Sequence, residues 1–456
     1  MGTSIIKSKN NKDLEQELKY SKNQYNFKNV FEIPLILNQI FQFMEKDDIK
    51  CLSLCSKKIY QLYCTQIKKL KINKEAKISN IQILINKYNN INNLDLTYCE
   101  NIKDFNRLFK LERLEIVNIS NTNISDISFL EKNKNIKELD LRYCNYIKDF
   151  TSISKLERLE MLNISNTKIS DISFLEKNKI IKQLDLRYCN NIKDFTPISK
   201  LERLEILNIG IPIISDISFL EKNKNIKELD LRYCKSIKDF TPISKLEKLE
   251  ILDINGTSIS DISFLEKNKN IKKLNLNYCE NLKDFSPISK LERLEILNIG
   301  SINISDISFL KKNKNIKELD LIFCKNIKDF TPISKCQNLE ILNINDLIIS
   351  DLSFLEKNKN IKELDLRYCK SINDFTSISK LEKLEILDIN DTNISDISFL
   401  EKNKNIKQLD LGYCKYINDF NPISKLERLE ILNIKGTNIS DTSFIEKNNN
   451  IKKLFR

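Results

Sequence analysis

IKELDLRYCNYIKDFTSISKLE (Ile136–Glu157), followed by RLEMLNISNTKISDISFLEKNKI (Arg158–Ile180), decides how this chain is built. Both stretches fit one spacing, LxxLxLxx(N/C/T)xxI. Ile136, Leu139, Leu141, Cys144 and Ile147 occupy it in the first; Leu159, Leu162, Ile164, Thr167, Ile169 and Ile172 occupy it in the second. Leu-x-Leu flanked by polar residues is the period-two pattern of a half-buried strand. Together the two stretches make a 45-residue unit. Its Tyr143-Cys144 pair recurs at Tyr98-Cys99, Tyr188-Cys189, Tyr233-Cys234, Tyr278-Cys279, Phe323-Cys324, Tyr368-Cys369 and Tyr413-Cys414, always 45 residues apart. Eight double units, or sixteen turns, span about residues 91–450.

One such strand cannot bury its apolar face alone, so successive turns must stack and share a core. After each strand comes a helix-start signal. In the first halves it is Thr-Pro (Thr196-Pro197, Thr241-Pro242, Thr331-Pro332), read as N-cap and first helical residue. In the second halves it is Ser-Asp before an apolar pair, as in Ser170-Asp171 with Ile172 and Leu175. The pattern resembles a leucine-rich-repeat array. The fold class expected is an α/β repeat solenoid, with a parallel sheet on the concave face and short helical or 3₁₀ turns outside.

The 456 residues carry no histidine and no tryptophan, which excludes a Ser-His-Asp triad, a Cys-His pair and imidazole-ligated metals. With 6 glycines there is little room for a phosphate-binding loop, and neither GxGxxG nor GxxxxGK[ST] occurs. No residue cluster carries acid–base logic, so no enzyme, no cofactor and no metal are expected. The net charge of +12 is spread among acidic residues and reads as a solvated surface. A lysine row (Lys132, Lys134, Lys137 and their copies) interleaves with glutamates, so nucleic acid is an improbable partner. No apolar run reaches the roughly 18 residues of a membrane span. Eight of the 12 cysteines sit at the strand-end position of the repeat. Equivalent positions two turns apart are ~9–10 Å from each other, beyond disulfide reach. They are expected to be reduced structural thiols, in a cytoplasmic setting with the nucleus not excluded. Cys336 stands where other copies have leucine and is expected in the core.

Residues 1–28 are polar, without a period, and are expected to be disordered. In 29–72, Ile36, Leu37, Ile40, Phe41 and Met44 recur at helical spacing; Asp47 or Asp48 can cap a second helix with Ile49, Leu52 and Cys55. Residues 73–90 read as a linker or degenerate first repeat, and 91–456 as the solenoid. The segment resembles an F-box through Pro34, Ile36-Leu37, Ile40-Phe41, Phe43-Met44, Asp48-Ile49, Leu52, Leu54-Cys55 and Lys58. That resemblance implies docking of Pro34, Ile36, Leu37, Ile40, Phe41, Phe43, Met44, Ile49, Leu52 and Cys55 on a Skp-type adaptor of a cullin ubiquitin ligase. The other reading of the segment is a helical cap on the first turn.

On the concave face the residue between the two leucines is Asp or Asn in every turn, from Asp95 to Asn433. Beside this column run Arg142, Arg187, Arg232 and Arg367, able to pair laterally with it. An apolar stripe of Ile116, Met161, Ile206, Ile251, Ile296, Ile341, Ile386 and Ile431 alternates with Glu138, Gln183, Glu228 and their equivalents. One turn departs from the pattern, with Ile322-Phe323. The residues expected to contact a target protein are Arg142, Arg187, Arg232, Ile251, Ile296, Ile322, Phe323, Ile341 and Arg367. Two functions follow: a substrate-recognition subunit of a ubiquitin ligase, or a protein-interaction scaffold with a helical cap.

Overall fold

A computed structural model describes residues 68–71, 90–102, 108, 110–439, 443–446, 448 and 450–456. Among them, eighteen three-residue strands form a single parallel sheet, from Lys69–Lys71 and Asn93–Asp95 to Ile431–Asn433 and Lys453–Phe455. Each strand pairs with the next in sequence and the register never slips: Leu139 faces Leu162, and Leu162 faces Leu184. The central residue of the strands from Asn93–Asp95 to Ile431–Asn433 is buried, and the residues on either side of it point out from the concave face. Seventeen gaps of ~4.8 Å make an arc of about 80 Å.

The sheet therefore starts earlier than residue 91. Lys69–Lys71 pairs with Asn93–Asp95, and Leu70 packs against the core. These residues belong to the solenoid and not to a helical module running to 72. The C-terminal Lys453–Phe455 likewise adds a strand beyond the last full unit. The adaptor residues read from sequence, Pro34 to Cys55, lie outside the described residues.

From Ile116–Asn118 to Gln408–Asp410 each turn leaves its strand, crosses to the convex side and makes a 3₁₀ segment, as in Ser173–Lys177 and Thr196–Lys200, while the turn after Ile431–Asn433 makes the short α-helix Ser443–Glu446. The Thr-Pro reading of these starts needs correction. Phe195, not Thr196, is the N-cap, and Thr196 and Pro197 are the first two helical residues. The capping hydrogen bond comes from the residue before it, Asp194, whose carboxylate accepts the Thr196 N–H at 2.9 Å. The second halves use the same device, Asp171 accepting from Ser173 at 2.8 Å. These hydrogen bonds hold Asp149, Asp194, Asp239 and Asp351 below the usual carboxylate range.

Three internal ladders run the length of the core. Phenylalanines of neighbouring turns stack in pairs, Phe195 on Phe219 and Phe240 on Phe264, with centroids 6.1 and 6.5 Å apart. Cysteine alternates at the strand ends with threonine in five units (Thr122, Thr167, Thr257, Thr392, Thr437), and Pro212, Ile302 and Leu347 stand in the threonine place of the others. Cys189 Sγ donates to the Ile164 carbonyl at 3.0 Å and lies 3.6 Å from Thr167 Oγ1. The nine described cysteines are buried and unbridged, Cys336 among them in its leucine position. Burial pushes the Cys324 and Cys369 thiols up to about 11. The third ladder is asparagine. Asn268 is fully buried, and its amide donates to the carbonyls of Ile243 and Leu246, both at 3.0 Å. Asn178, Asn223, Asn313 and Asn403 repeat the arrangement.

Candidate binding surface

The constant register turns sequence columns into lines on the concave face. The Asp/Asn column is partly buried, and its carboxylates do two jobs. Asp140 Oδ1 accepts the Arg142 backbone N–H at 3.0 Å, closing the strand end, while Asp140 also takes the Arg142 guanidinium, with Nη2–Oδ2 at 2.7 Å. The same pair forms at Asp185–Arg187, Asp230–Arg232 and Asp365–Arg367. The strongest pairing is thus within one turn. Lateral contacts are longer, as in Arg232 Nε to Asp253 at 3.5 Å. Hydrogen bonding to the aspartates raises the Arg142, Arg187 and Arg367 guanidinium pKa values further.

These pairs divide the face into three zones. From Asp140 to Arg232 each aspartate of the column has its own arginine. Around Asp253–Asn343 the arginine position holds Asn255, Asn277, Gly300, Ile322 and Asn345 in successive turns. Here half-buried Ile251, Ile296 and Ile341 alternate along the ladder with Lys273 and Glu318, and half-buried Ile322 stands at the arginine place. Asp320 accepts the Ile322 N–H at 3.0 Å and takes the Asn277 side chain in place of an arginine, and burial raises its pKa. The third zone is acidic. Asp365, Asp388 and Asp410 stand in register on adjacent strands, and Gly412 takes the arginine place beside Asp410. Asp410 is well supplied with donors from Asn390, Gly412 and Asn433. Asp388 accepts the Asn390 N–H at 3.1 Å and has Arg367 Nε at 3.5 Å; burial pushes its carboxyl up to about 7.

Of the nine target-binding residues read from sequence, Ile251, Ile296 and Ile341 lie in strands of the concave sheet, and Arg142, Arg187, Arg232, Ile322 and Arg367 each stand two residues past a strand's last residue. Arg142, Arg187 and Arg232 are committed to aspartates in the first zone; Ile251, Ile296, Ile322 and Ile341 form the apolar centre; Arg367 opens the acidic zone. The isoleucines do not make a continuous stripe. Each faces a polar partner across both ladders, as Ile296 faces Lys273 and Glu318. A depression of about 320 Å³ opens nearer the N-terminal end, over Met161, Gln183 and Arg142. Met161 is the most exposed residue of its column, at 36 %. The lysine row is largely neutralised at its inner edge, since Lys137 pairs with Glu115 at 2.7 Å and Lys182, Lys227 and Lys272 repeat the bridge.

Phe323, the ninth, lies off the sheet. It belongs to a rim column with Tyr98, Tyr143, Tyr188, Tyr233, Tyr278, Tyr368 and Tyr413. All eight have positive φ, between 58 and 64° where Tyr413 and Tyr98 mark the ends. All eight are 44–56 % exposed. A left-handed backbone costs a bulky residue on the order of 1–3 kcal/mol. The alternate turns use residues that tolerate it better at this bend, such as Asn121, Asn166, Gly256 and Gly436. The cause is the ladder: the bent backbone turns the Tyr143 N–H onto the Ser165 carbonyl of the next turn, at 3.1 Å. The 45-residue recurrence of tyrosine was the sequence signal for this column; its left-handed conformation carried none.

Among the described residues, no group of three or more metal-ligating side chains is present. The model for leucine-rich repeats in two copies matches residues 112–155, 157–200, 224–267, 247–290 and 382–425, and that for a single leucine-rich repeat matches 357–374. No curated protein matches the chain. Among solved structures, a leucine-rich-repeat protein of Leptospira interrogans is 17 % identical, with a TM-score of 0.59 over 86 % of this chain and 97 % of its own. A TLR13–ssRNA13 complex is 18 % identical, with a TM-score of 0.59 over 81 % of this chain and 62 % of that one. An internalin of Listeria monocytogenes is 22 % identical over 76 % of this chain and 87 % of its own, with a TM-score of 0.48. Repeat spacing, sheet register and the two repeat models agree: the chain carries leucine-rich repeats, stacked as a solenoid.

Proposed function

We propose that the chain is a non-enzymatic scaffold that holds a protein partner along its concave face. One observation carries this reading: the concave face runs from an ion-paired zone, through a stretch where half-buried Ile251, Ile296 and Ile341 alternate with Lys273 and Glu318 beside Ile322, to the acidic zone Asp365–Asp388–Asp410. A partner with an apolar patch flanked by basic residues complements that order. Such exposed apolar side chains rimmed by polar ones are what protein contacts use. The test is a pull-down with the full chain as bait, followed by titration of the captured partner against Ile296→Arg/Ile341→Arg. Binding should weaken at least tenfold with the circular dichroism spectrum unchanged. Unchanged affinity rules the centre out as the contact.

The finer reading is that this scaffold recruits its partner to a cullin ubiquitin ligase. It is supported by the F-box resemblance carried by Pro34 to Lys58 alone, and with it goes a cytoplasmic or nuclear location. The full chain is co-purified with a Skp-type adaptor of its own host. Co-elution that Ile40→Asp/Phe41→Asp abolishes would support the ligase role; absence of co-elution leaves the scaffold alone.

A further inference from the structure

The rim aromatics serve no need of the core: their rings lie outside it, in a backbone conformation that disfavours them. They form a track of regular spacing. The inter-turn ladder continues through them, Tyr233 N–H to Asn255 O at 2.8 Å and Tyr368 N–H to Asn390 O at 2.9 Å, so the track inherits the sheet repeat. Rings recur every second turn, ~9.6 Å apart. A polyproline II helix has three residues per turn and rises about 3.1 Å per residue, so one of its faces recurs every ~9.3 Å. The mismatch is about 0.3 Å per ring and stays near 1 Å over four rings. Proline rings stack on aromatic faces, and a polyproline II backbone leaves its carbonyls open to donors such as a tyrosine hydroxyl. Charge gives the occupant its sign. Exposed Lys235, Lys325, Lys370 and Lys415 follow the cysteine in four units, and Lys435 lies one turn beyond Tyr413. Lys325 and Lys370 are bridged to Asp346 and Asp391, and Glu280 stands in one unit, which still leaves a cationic excess.

We infer that the rim column from Tyr233 to Tyr413 is a docking track for an acidic, proline-rich segment of a partner protein in the polyproline II conformation. This surface is separate from the concave face, so a partner can be gripped at two places.

The full chain is titrated by fluorescence anisotropy with labelled (Pro-Pro-Glu)n of about 18 residues, about six turns of the helix. Two controls of equal length are (Pro-Pro-Pro-Glu)n, which carries its acids round the helix, and flexible (Gly-Ser-Glu)n. The period-three peptide should bind at least about tenfold tighter than either control. Tyr278→Ala/Tyr368→Ala should remove that advantage, Tyr278→Phe/Tyr368→Phe should retain most of it, and Ile296→Arg/Ile341→Arg should leave it unchanged. Equal binding of the three peptides by the unaltered chain overturns the inference without any variant. So does a self-association abolished by the Tyr→Ala changes, which assigns the rings to a second copy. Ring-dependent binding of a soluble β-glucan with the peptide inactive overturns it as well.

Discussion

At the scale of single residues, the buried amides and the concave carboxylates carry the sharpest consequences. Asn268 ties its turn to the one before through two backbone carbonyls, while its own Oδ1 has no hydrogen-bond partner. Asn268→Ala removes both inter-turn hydrogen bonds, leaving the Ile243 and Leu246 carbonyls only the backbone N–H groups of Leu246 and Leu249, and should lower the unfolding free energy by about 1–3 kcal/mol in urea titration. An unchanged midpoint would mean that the neighbouring turns close over the gap. Asp388 makes the opposite case. Its ordinary value is 3.8 and burial raises it to about 7 in the folded chain. Between those values the folded state holds a proton that the unfolded state has lost. Stability contributed by this group therefore falls as pH rises from about 4 to about 7, and stays at the lower level above. Asp388→Asn should leave stability unchanged near pH 4 and increase it near pH 8, by about 1 kcal/mol once solvent screening at this partly exposed site is allowed for. Urea midpoints at the two pH values read this directly; equal shifts at both would show that the charge is not the cause.

At the scale of the element, the 3₁₀ segments depend on an aspartate that stands outside them. Asp261 accepts the Ser263 N–H at 2.8 Å, and its other oxygen takes the Ser263 hydroxyl at 2.9 Å. Asp261→Ala should cost about 1 kcal/mol, and Asp261→Asn, which keeps an acceptor at the same place, about half of that or less. Thermal unfolding of both variants checks the order; equal losses would remove the cap as the reason. The same segments show where local reading stops. The strands were legible because Leu-x-Leu alternation follows directly from the pleat. Thr-Pro was misassigned because either residue could begin a helix, and only three-dimensional register shows that Asp194 reaches the first N–H. The buried asparagines escaped notice for a related reason. Asn133 stands between Lys132 and Lys134, both exposed, so its stretch reads as a polar loop although Asn133 itself is fully buried. The left-handed tyrosines run against residue preference altogether, because the hydrogen-bond ladder of the whole array overrides it.

At the scale of the molecule, the 45-residue unit and not the single turn is the unit of complementarity. First and second halves differ in what they give their neighbours. The asparagine of a second half donates to carbonyls of the preceding first half, as Asn268 does to Ile243 and Leu246. Cys279 of a first half lies 3.6 Å from Thr257 of the preceding second half. On the concave face, Lys272 of one half bridges Glu250 of the other at 2.7 Å. Removing Ile226–Asn270, one complete unit, rejoins Asn225 to Ile271 and leaves every neighbour relation intact. Removing only Ile226–Glu247 sets two second halves side by side. Asn268 then loses both acceptors, Phe264 loses Phe240, and Ile206 and Ile251 meet across one ladder without the glutamate between them. Stability in a solenoid sums local terms and neighbour interfaces, so the longer deletion subtracts one unit's share while the shorter one spoils an interface. The variant lacking 45 residues should therefore unfold cooperatively, with an m-value lower by about one-eighth. The variant lacking 22 should be less stable than that one, by about 2–4 kcal/mol for the buried Asn268 amide left without its acceptors and the lost ring contact. If the shorter deletion proved the more stable of the two, the alternation of halves would be a record of duplication without structural consequence, and each turn would count as equivalent to its neighbours.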